Sequence, residues 1–397
     1  MPTGIAESKA TGDRPPEGTI RVMVVDDSAI IRGFIARMLA SDPAFSIVTS
    51  VGNGQMAVEA LSRHDVDVII MDIEMPVMDG LTALPKLLEV DPGVRIVMAS
   101  TLTERNAEIS IRALELGASD YIPKPTSTRE ISGSDDFRRE LLEKVRVLGL
   151  HPKPGVRRRG MPGDPAAPVE APRSSEALRP AAPPRQPRPL YPQGPIRLRS
   201  PSPLRPNILA IGSSTGGPPA LFAVLQEIPT SINLPVVITQ HMPSTFTTIL
   251  AQHIERNSQW PCREAADGEP IVSGRAYLAP GNFHFLVETQ NGKPIARLNQ
   301  GPPESYCRPA VDPMLRSLIK VYNGRVLAVI LTGMGADGLK GCGEVIEAGG
   351  TVFAQDEASS VVWGMPGAVA TAGICSAVIP LKDIGPRVTT YLVGKPI

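Results

Sequence analysis

Short apolar runs alternate with helical patterns over residues 20–147. The runs lie at residues 21–25, 45–51, 66–71, 95–99 and 120–122. Regular alternation of strands and helices is typical of βαβ units, which build a parallel sheet with helices on its faces. We therefore predict an α/β domain over residues 20–147.

The same alternation returns over residues 207–394. The segment NILAIGSSTGGPP at residues 207–219 predicts a strand, a glycine-rich turn and the start of a helix. Apolar runs at residues 235–239 and 326–331 are each followed by a polar loop, and a β-rich insert lies at residues 272–296. This pattern predicts a second, doubly wound α/β domain.

Two segments lack apolar periodicity. Residues 148–206 are rich in proline and arginine, and such a composition cannot bury enough apolar surface to offset the entropy lost on ordering. We predict an extended linker there, which allows the two domains either to separate or to dock. Residues 1–19 are rich in glycine, proline and charge and are predicted to form a disordered tail.

The charge of the chain is balanced, with 40 basic and 40 acidic side chains. A neutral chain has no global field to attract nucleic acid or an anionic membrane, so neither is predicted as a partner. Arginines at residues 157–159 leave local binding of nucleic acid as an alternative. No apolar run approaches the ~20 residues of a membrane helix, so membrane insertion is not predicted.

The cysteines and the amino terminus predict a cytoplasmic protein. The four cysteines are widely spaced and form no paired ligand pattern, which favours free thiols in a reducing compartment. The first 19 residues lack the apolar core of a signal peptide.

Acidic residues mark the strand ends of the first domain. Asp26 and Asp27 end the first predicted strand, and Asp72 ends the third. Three carboxylates at one sheet edge repel one another unless a cation holds them, and oxygen ligands favour Mg²⁺. With that charge neutralised, a carboxylate can attack a phosphoryl donor. We predict a Mg²⁺ site in which Asp72 is phosphorylated, with a solvated acidic rim as the alternative.

A serine, a histidine and an aspartate follow three strands of the second domain. Ser214 lies at the apex of the glycine-rich turn, His241 follows residues 235–239, and Asp337 follows residues 326–331. Carboxyl ends of parallel strands share one edge of the sheet, so these side chains are expected to meet. Their chemistry suits a hydroxyl nucleophile, its base and an orienting acid.

Each of these residues also has a structural explanation. Ser214 can cap the following helix, the glycine-rich turn can hold a phosphate, and Asp337 can be a helix N-cap. Ser213 is a second candidate nucleophile in the same turn. The chain order of serine, histidine and aspartate differs from that of α/β-hydrolases, in which the acid precedes the histidine.

Four segments carry a family resemblance: GSSTGGPPAL, ITQHMP, YCRPAVDPMLRS and LTGMGADG. Together with the amino-terminal half, they resemble the CheB family of chemotaxis protein-glutamate methylesterases. The resemblance implies a flavodoxin-like receiver over residues 20–147 and a methylesterase domain over residues 207–394. The matched segments lie in both domains, and the linker is unmatched.

The receiver resemblance implies roles for single residues. Asp26, Asp27 and Asp72 would hold Mg²⁺ with the backbone carbonyl of Glu74. The residues around the phosphoryl group would be Lys124 as its ion-pair partner, Ser100 as a hydrogen-bond donor and Tyr121 as the aromatic switch. One departure is Pro85 in the third predicted helix, which we expect to kink or to begin late because proline lacks the backbone donor.

The esterase resemblance implies that Ser214 attacks the methyl ester of a glutamate, with His241 as base and Asp337 as its partner. The Met334 amide would bind the oxyanion, helped by the turn amides around Thr215. The family also deamidates certain glutamines, and its esterase uses no cofactor. Substrates would be the cytoplasmic helices of methyl-accepting chemotaxis receptors, with the histidine kinase CheA as phosphodonor.

Two other functions fit parts of the sequence. A non-enzymatic response regulator would use the carboxyl half as a phosphate-controlled binding module. A transcription factor would use the basic linker, but the carboxyl half shows no basic recognition helix.

Overall fold

The computed structural model describes residues 18–101, 103–124, 135–150 and 195–394. Residues 1–17 of the predicted tail and residues 151–194 of the predicted linker lie outside this part of the chain. No helix in the described ranges combines the length and the apolarity needed to cross a bilayer.

The first domain is a five-stranded, wholly parallel sheet with strand order β2-β1-β3-β4-β5. Its strands are β1 (Ile20–Val25), β2 (Phe45–Val51), β3 (Val68–Asp72), β4 (Arg95–Ser100) and β5 (Asp120–Pro123). Its helices are α1 (Ala29–Ala40), α2 (Gly54–Leu61), α3 (Gly80–Val90), α4 (Glu104–Glu115) and α5 (Asp135–Leu150). Because helices cover both faces, the central strands are continuous apolar runs. The prediction of a receiver-like α/β domain is confirmed.

The N-cap residue Asp79 determines where helix α3 begins. Asp79 accepts a hydrogen bond from the backbone of Thr82 at 2.7 Å, which satisfies one of the free donors of the first turn. The helix then runs from Gly80 to Val90 with Pro85 inside it. The expected late start was therefore wrong, because the capping carboxylate sets the start before the proline is reached.

The second domain contains a seven-stranded parallel sheet with strand order β14-β13-β12-β6-β7-β9-β8. Its strands are β6 (Ile208–Ser213), β7 (Val236–Gln240), β8 (Cys262–Glu264), β9 (Ala276–Leu278), β12 (Val326–Ile330), β13 (Thr351–Gln355) and β14 (Ala377–Ile379). Its helices are α6 (Gly217–Gln226), α7 (Ser244–Ser258), α8 (Val311–Tyr322), α9 (Leu339–Glu347), α10 (Met365–Thr371) and α11 (Leu381–Leu392). Strands β12, β6 and β7 are neighbours, so their carboxyl ends lie side by side.

The predicted β-rich insert divides into two parts. Strand β9 joins the main sheet in parallel with β7 and β8. The other part is an antiparallel hairpin of β10 (His284–Gln290) and β11 (Lys293–Asn299), which packs on α8. The hairpin thereby covers a helix that begins at the carboxyl edge of the sheet.

The two domains are docked against one another. Helix α4 of the receiver packs on α6 and α7, and the ring of Tyr121 stacks on that of Phe246 with centroids 4.3 Å apart. Glu115 accepts hydrogen bonds from Asn257 and pairs with His253, both at 2.8 Å. One buried apolar cluster runs through both domains, so the interface is continuous with their cores.

The described end of the predicted linker follows the surface of the second domain. The backbone of Arg199 donates to the carbonyl of Cys375 at 2.9 Å. Ser202 donates from its backbone to Thr351 at 3.0 Å and accepts from the Tyr391 hydroxyl at 2.9 Å. Residues 195–206 are thus attached to the domain that they precede.

Candidate phosphorylation and active sites

Three carboxylates meet at the carboxyl edge of the first sheet. One oxygen from each of Asp26, Asp27 and Asp72 lies within 4.8 Å of the others. Asp26 and Asp72 are buried, whereas Asp27 is exposed. An all-carboxylate donor set that is open on one side fits Mg²⁺, which binds few protein ligands and keeps several waters.

Lys124 joins this cluster from the end of β5. Its ammonium lies 2.6 Å from Asp26 and 2.7 Å from Asp72. Burial raises the pKa of Asp72 above its usual value, and the charge of Lys124 offsets this only in part. A second cation at the cluster would therefore favour the ionised carboxylate that phosphorylation requires.

The other residues predicted to act in the receiver, Ser100, Tyr121 and Glu74, differ in their burial and in their contacts. The Ser100 hydroxyl is buried and forms a hydrogen bond with the Ser110 hydroxyl at 3.0 Å. Tyr121 is only 4% exposed because the second domain covers it. Glu74 has a largely exposed side chain, and the role of its backbone carbonyl stays a prediction.

Ser214 lies directly after β6, in a turn that is hydrogen-bonded to the loop after β12. Its amide donates to the carbonyl of Thr332 at 3.0 Å, and its carbonyl accepts from the Gly217 amide at 2.7 Å. Gly216 has a φ of +75°, and a Cβ there would lie 2.6 Å from Val361. Only glycine meets both constraints, which explains the first glycine of the Gly216-Gly217 pair.

His241 and Asp337 form a close pair. The Nε2 atom of His241 lies 2.7 Å from an oxygen of Asp337, which is 1% exposed. The carboxylate of Asp337 also accepts hydrogen bonds from the backbone amides of Val311 (2.6 Å), Asp312 (3.1 Å) and Gly338 (2.9 Å). Burial acts to raise the pKa of Asp337, but the hydrogen bond and charge of His241 and the amides of Val311 and Asp312 outweigh burial and lower the pKa.

Two of those amides belong to the first turn of α8. Ala310 precedes that helix and has no side chain that could cap it, so Asp337 supplies the missing acceptor from another loop. The positive end of the helix favours an anion at this position. The expectation that Asp337 is a helix N-cap was wrong, because Gly338 is the N-cap of the following helix and Ala310 that of α8; the Asp337 carboxylate instead binds the first-turn amides of α8 from another loop.

The structure joins the histidine and the aspartate by a hydrogen bond. In the described part of the chain, no hydrogen bond links the Ser214 hydroxyl to His241. Strands β6 and β7 are paired up to Ser213 and Gln240, so the two residues occupy equivalent places on adjacent strands. Because Nε2 is bonded to Asp337, a serine would have to use Nδ1, and the Cys307 side chain also hydrogen-bonds to this ring.

The charge state of His241 depends on a neighbour that the sequence did not single out. Burial lowers the pKa of His241, but contact with Cys307 and the hydrogen bond with Asp337 outweigh burial and raise it above the usual 6.5. Cys307 lies in the YCRPAVDPMLRS segment, where it was interpreted as an ordinary free thiol. Its proximity to His241 arises only when the loop before α8 folds back onto β7.

The predicted oxyanion donors have free amides. Within the described ranges, the backbone N–H groups of Met334 and Thr215 donate to no protein acceptor, whereas that of Ser214 is occupied by Thr332. Met334 packs against an apolar cluster that contains receiver residues and Val362. The loop that bears this amide therefore lies under the receiver.

The receiver also contacts the nucleophile turn directly. The Thr215 hydroxyl donates to Asp120 of β5 at 2.7 Å, and Lys144 of α5 lies 3.3 Å from the same carboxylate oxygen. Burial lowers the pKa of Lys144, but the charges of Asp120 and Glu140 outweigh it and raise the pKa. Sequence analysis did not identify Asp120, because nothing in one chain's pattern shows which residue will face another domain.

Comparison with known proteins identifies both domains of the chain. The family model for the response regulator receiver domain matches residues 22–134, and that for CheB methylesterase matches residues 209–388. The catalytic domain of Thermotoga maritima CheB methylesterase is 40% identical, covering 47% of this chain and 98% of that one with a TM-score of 0.46.

Two relatives are similar along nearly the whole chain. A protein of Paramagnetospirillum magneticum named protein-glutamate methylesterase/protein-glutamine glutaminase 1 is 58% identical over 374 residues, covering 94% of this chain and 96% of the relative. A protein of Azospirillum brasilense with the same name, without a number, is 57% identical over 397 residues, covering 98% and 96%. The resemblance predicted from four segments is confirmed: this chain belongs to the CheB family of receiver-regulated protein-glutamate methylesterases.

Proposed function

We propose that this protein hydrolyses glutamate methyl esters on methyl-accepting chemotaxis receptors through Ser214, His241 and Asp337. The observation that carries the proposal is the 2.7 Å contact between His241 and the buried Asp337, beside the strand end that bears Ser214. A buried acid held by backbone amides is rigid, so it can fix both the tautomer and the orientation of the imidazole.

In the first half of the reaction, Ser214 attacks the ester carbonyl while Nδ1 of His241 takes the hydroxyl proton. The tetrahedral oxyanion accepts hydrogen bonds from the Met334 and Thr215 amides, which are free of protein acceptors within the described ranges. His241 then gives its proton to the leaving oxygen. Methanol departs, and an ester of Ser214 remains.

In the second half, water replaces methanol. His241 takes a proton from the water, the hydroxide attacks the acyl group, and Ser214 leaves with the proton. A glutamine side chain gives the same acyl-enzyme when ammonia departs in place of methanol. One site thus supports both esterase and glutaminase activity, without a cofactor.

The structure also favours Ser214 over Ser213 as nucleophile. Ser213 is fully buried, and its hydroxyl donates to Gln240 at 2.7 Å. A hydroxyl in that position cannot reach a substrate without breaking the bond that satisfies it.

Replacing Ser214 tests the nucleophile. We expect Ser214→Ala to reduce methanol release from methylated receptor membranes to background, because loss of a triad member leaves only about 10³- to 10⁴-fold rate enhancement over water. Ser213→Ala is the matched control and should keep substantial activity. Normal turnover by Ser214→Ala would remove the nucleophile assignment.

The pH dependence tests the base. Neutral His241 is the active form, so kcat/KM should rise with pH through the raised pKa of His241, with a midpoint above 6.5. Asp337→Asn removes the anion that stabilises the imidazolium, so the midpoint should move to lower pH while turnover falls by about 10⁴. If the pH midpoint of kcat/KM were the same in Asp337→Asn as in the unmodified protein, the proposed pairing of His241 with Asp337 would be contradicted.

We propose further that the unmodified receiver restrains the esterase through β5. Asp120 and Tyr121 on this strand contact Thr215 and Phe246, and Lys124 at its end contacts Asp72. A phosphoryl group on Asp72 would draw Lys124 to new oxygens and shift β5. Phosphorylation would then favour an undocked arrangement, which is a shift of population between two states.

The same assay tests this control. Asp72→Ala should retain basal methanol release but lose its stimulation by acetyl phosphate, because no phosphoryl acceptor remains. The unmodified chain with and without acetyl phosphate provides the reference. If acetyl phosphate stimulated Asp72→Ala as much as the unmodified chain, phosphorylation of Asp72 would not control the esterase.

Asp120 tests the restraint itself. A hydrogen bond to a charged group contributes about 1.5–3 kcal/mol, so Asp120→Ala should shift the docked equilibrium by about tenfold or more and raise methanol release without acetyl phosphate. Glu89→Ala, on an exposed position of α3, is the matched control. Unchanged basal activity in Asp120→Ala would show that this contact does not restrain the enzyme.

The partners follow from these roles. We propose the cytoplasmic helices of chemotaxis receptors as substrates, the histidine kinase CheA as phosphodonor and the cytoplasm as the location. Mg²⁺ held by Asp26, Asp27 and Asp72, with the Glu74 carbonyl, would neutralise charge during phosphoryl transfer. Ser100 would contact the phosphoryl group after release from Ser110.

A further inference from the structure

We infer that Gln240 is a positioning residue that sets the nucleophile turn against the base. This inference rests on the proposed function, because it concerns the relative position of Ser214 and His241. Gln240 is the last residue of β7 and is 2% exposed. Burying an amide side chain is unfavourable unless its donors and acceptor find partners, so its partners indicate what it does.

The amide of Gln240 is bonded on both sides to the two catalytic loops. Its Nε2 donates to the carbonyl of Ser214 at 2.9 Å and to the carbonyl of His241 at 3.2 Å. Its Oε1 accepts from the hydroxyl of Ser213 at 2.7 Å. Both N–H donors of the side chain are therefore used, one on the nucleophile residue and one on the base residue.

These bonds begin where the sheet ends. The paired register of β6 and β7 finishes at Ser213 and Gln240, and the amide of His241 makes a last ladder bond to Ser213 at 3.1 Å. Beyond this point the two chains diverge into loops. The Gln240 side chain continues the connection by one residue on each strand, and those residues are Ser214 and His241.

The local sequence makes room for this amide. A Cβ on Gly217 would lie 2.0 Å from Oε1 of Gln240 and 2.9 Å from the Ser213 hydroxyl. Any larger residue at the start of α6 would displace the amide from its partners. The second glycine of the Gly-Gly pair thus has a separate role from Gly216, whose constraint is its backbone angle.

A positioning residue and a residue that only supports the fold affect different quantities when they are replaced. A nucleophile displaced by about 1 Å from its attacking position can lose about 10² in rate. Such a loss lowers the rate constant of every folded molecule. A purely structural loss lowers instead the fraction of molecules that can react, and leaves the rate constant of the remainder unchanged.

The experiment uses the full chain with saturating acetyl phosphate, so that docking of the receiver does not obscure the result. Gln240→Met removes both donors and the acceptor while keeping an unbranched side chain of similar length. Gln240→Glu keeps the acceptor for Ser213 and replaces the donating group by oxygen, which repels the two carbonyls. Ser213→Ala is the matched control, because it removes the third bond alone.

Each variant is titrated with a fluorophosphonate that labels the nucleophilic serine, and kcat and KM are measured by methanol release. We expect Gln240→Met and Gln240→Glu to lower kcat and the labelling rate constant by about 10- to 100-fold, with KM within about twofold. The number of labelled sites per folded chain should stay near that of the unmodified protein. Ser213→Ala should keep most of the labelling rate.

The outcomes separate this inference from the function on which it rests. Turnover or labelling by Ser214→Ala would overturn the nucleophile assignment, whatever Gln240 does. If Ser214→Ala is inactive while both Gln240 variants react at the unmodified rate, the inference alone is wrong. Fewer labelled sites with an unchanged rate constant would likewise overturn it, because that result indicates structural support. If one Gln240 variant fails to fold, the other decides between these results.

Discussion

The buried carboxylate of Asp337 is the interaction on which the esterase half depends. A charge removed from water is costly unless hydrogen bonds replace its hydration. Here three backbone amides and the ring of His241 do so, and two of the amides are the free donors of a helix start. The same anion therefore stabilises the start of α8, which packs on the hairpin, and holds the imidazole of His241. Catalytic geometry and local stability have a common origin.

The second sheet brings the proposed catalytic residues to one edge by its strand order. Strands β12, β6 and β7 are adjacent although they come from distant parts of the chain. Parallel strands end at the same edge, so the residues that follow them become neighbours without special contacts. Finer alignment is left to side chains that cross between loops, such as Gln240 and Thr332. The Thr332 hydroxyl donates to the carbonyl of Thr215 at 2.9 Å.

The receiver uses the same sheet edge for different chemistry. Its three carboxylates and Lys124 lie at the ends of β1, β3 and β5, and β5 also carries the residues that touch the esterase. A change at the proposed phosphoryl acceptor would thereby reach the proposed nucleophile turn through five consecutive positions, 120 to 124, and not through a long path. The linker is long, yet the docked domains share buried apolar contacts and hydrogen bonds. Linker length alone does not determine how closely two domains pack.

The sequence by itself determined the two α/β domains and the residues at their strand ends. Ser214, His241, Asp337 and the aspartates of the receiver were found because strand-end placement follows from the alternation of apolar runs and loops. The expected late start of α3 at Pro85 was wrong, since the cap at Asp79 sets where the helix begins. Only the tertiary structure showed that Asp120 reaches Thr215, that Cys307 lies beside His241 and that Gln240 bonds both catalytic loops. The periodicity of apolar residues indicates which way a side chain faces within its own helix or strand. The three contacts depend instead on how separate elements pack, and this packing is determined by the fold of the whole chain.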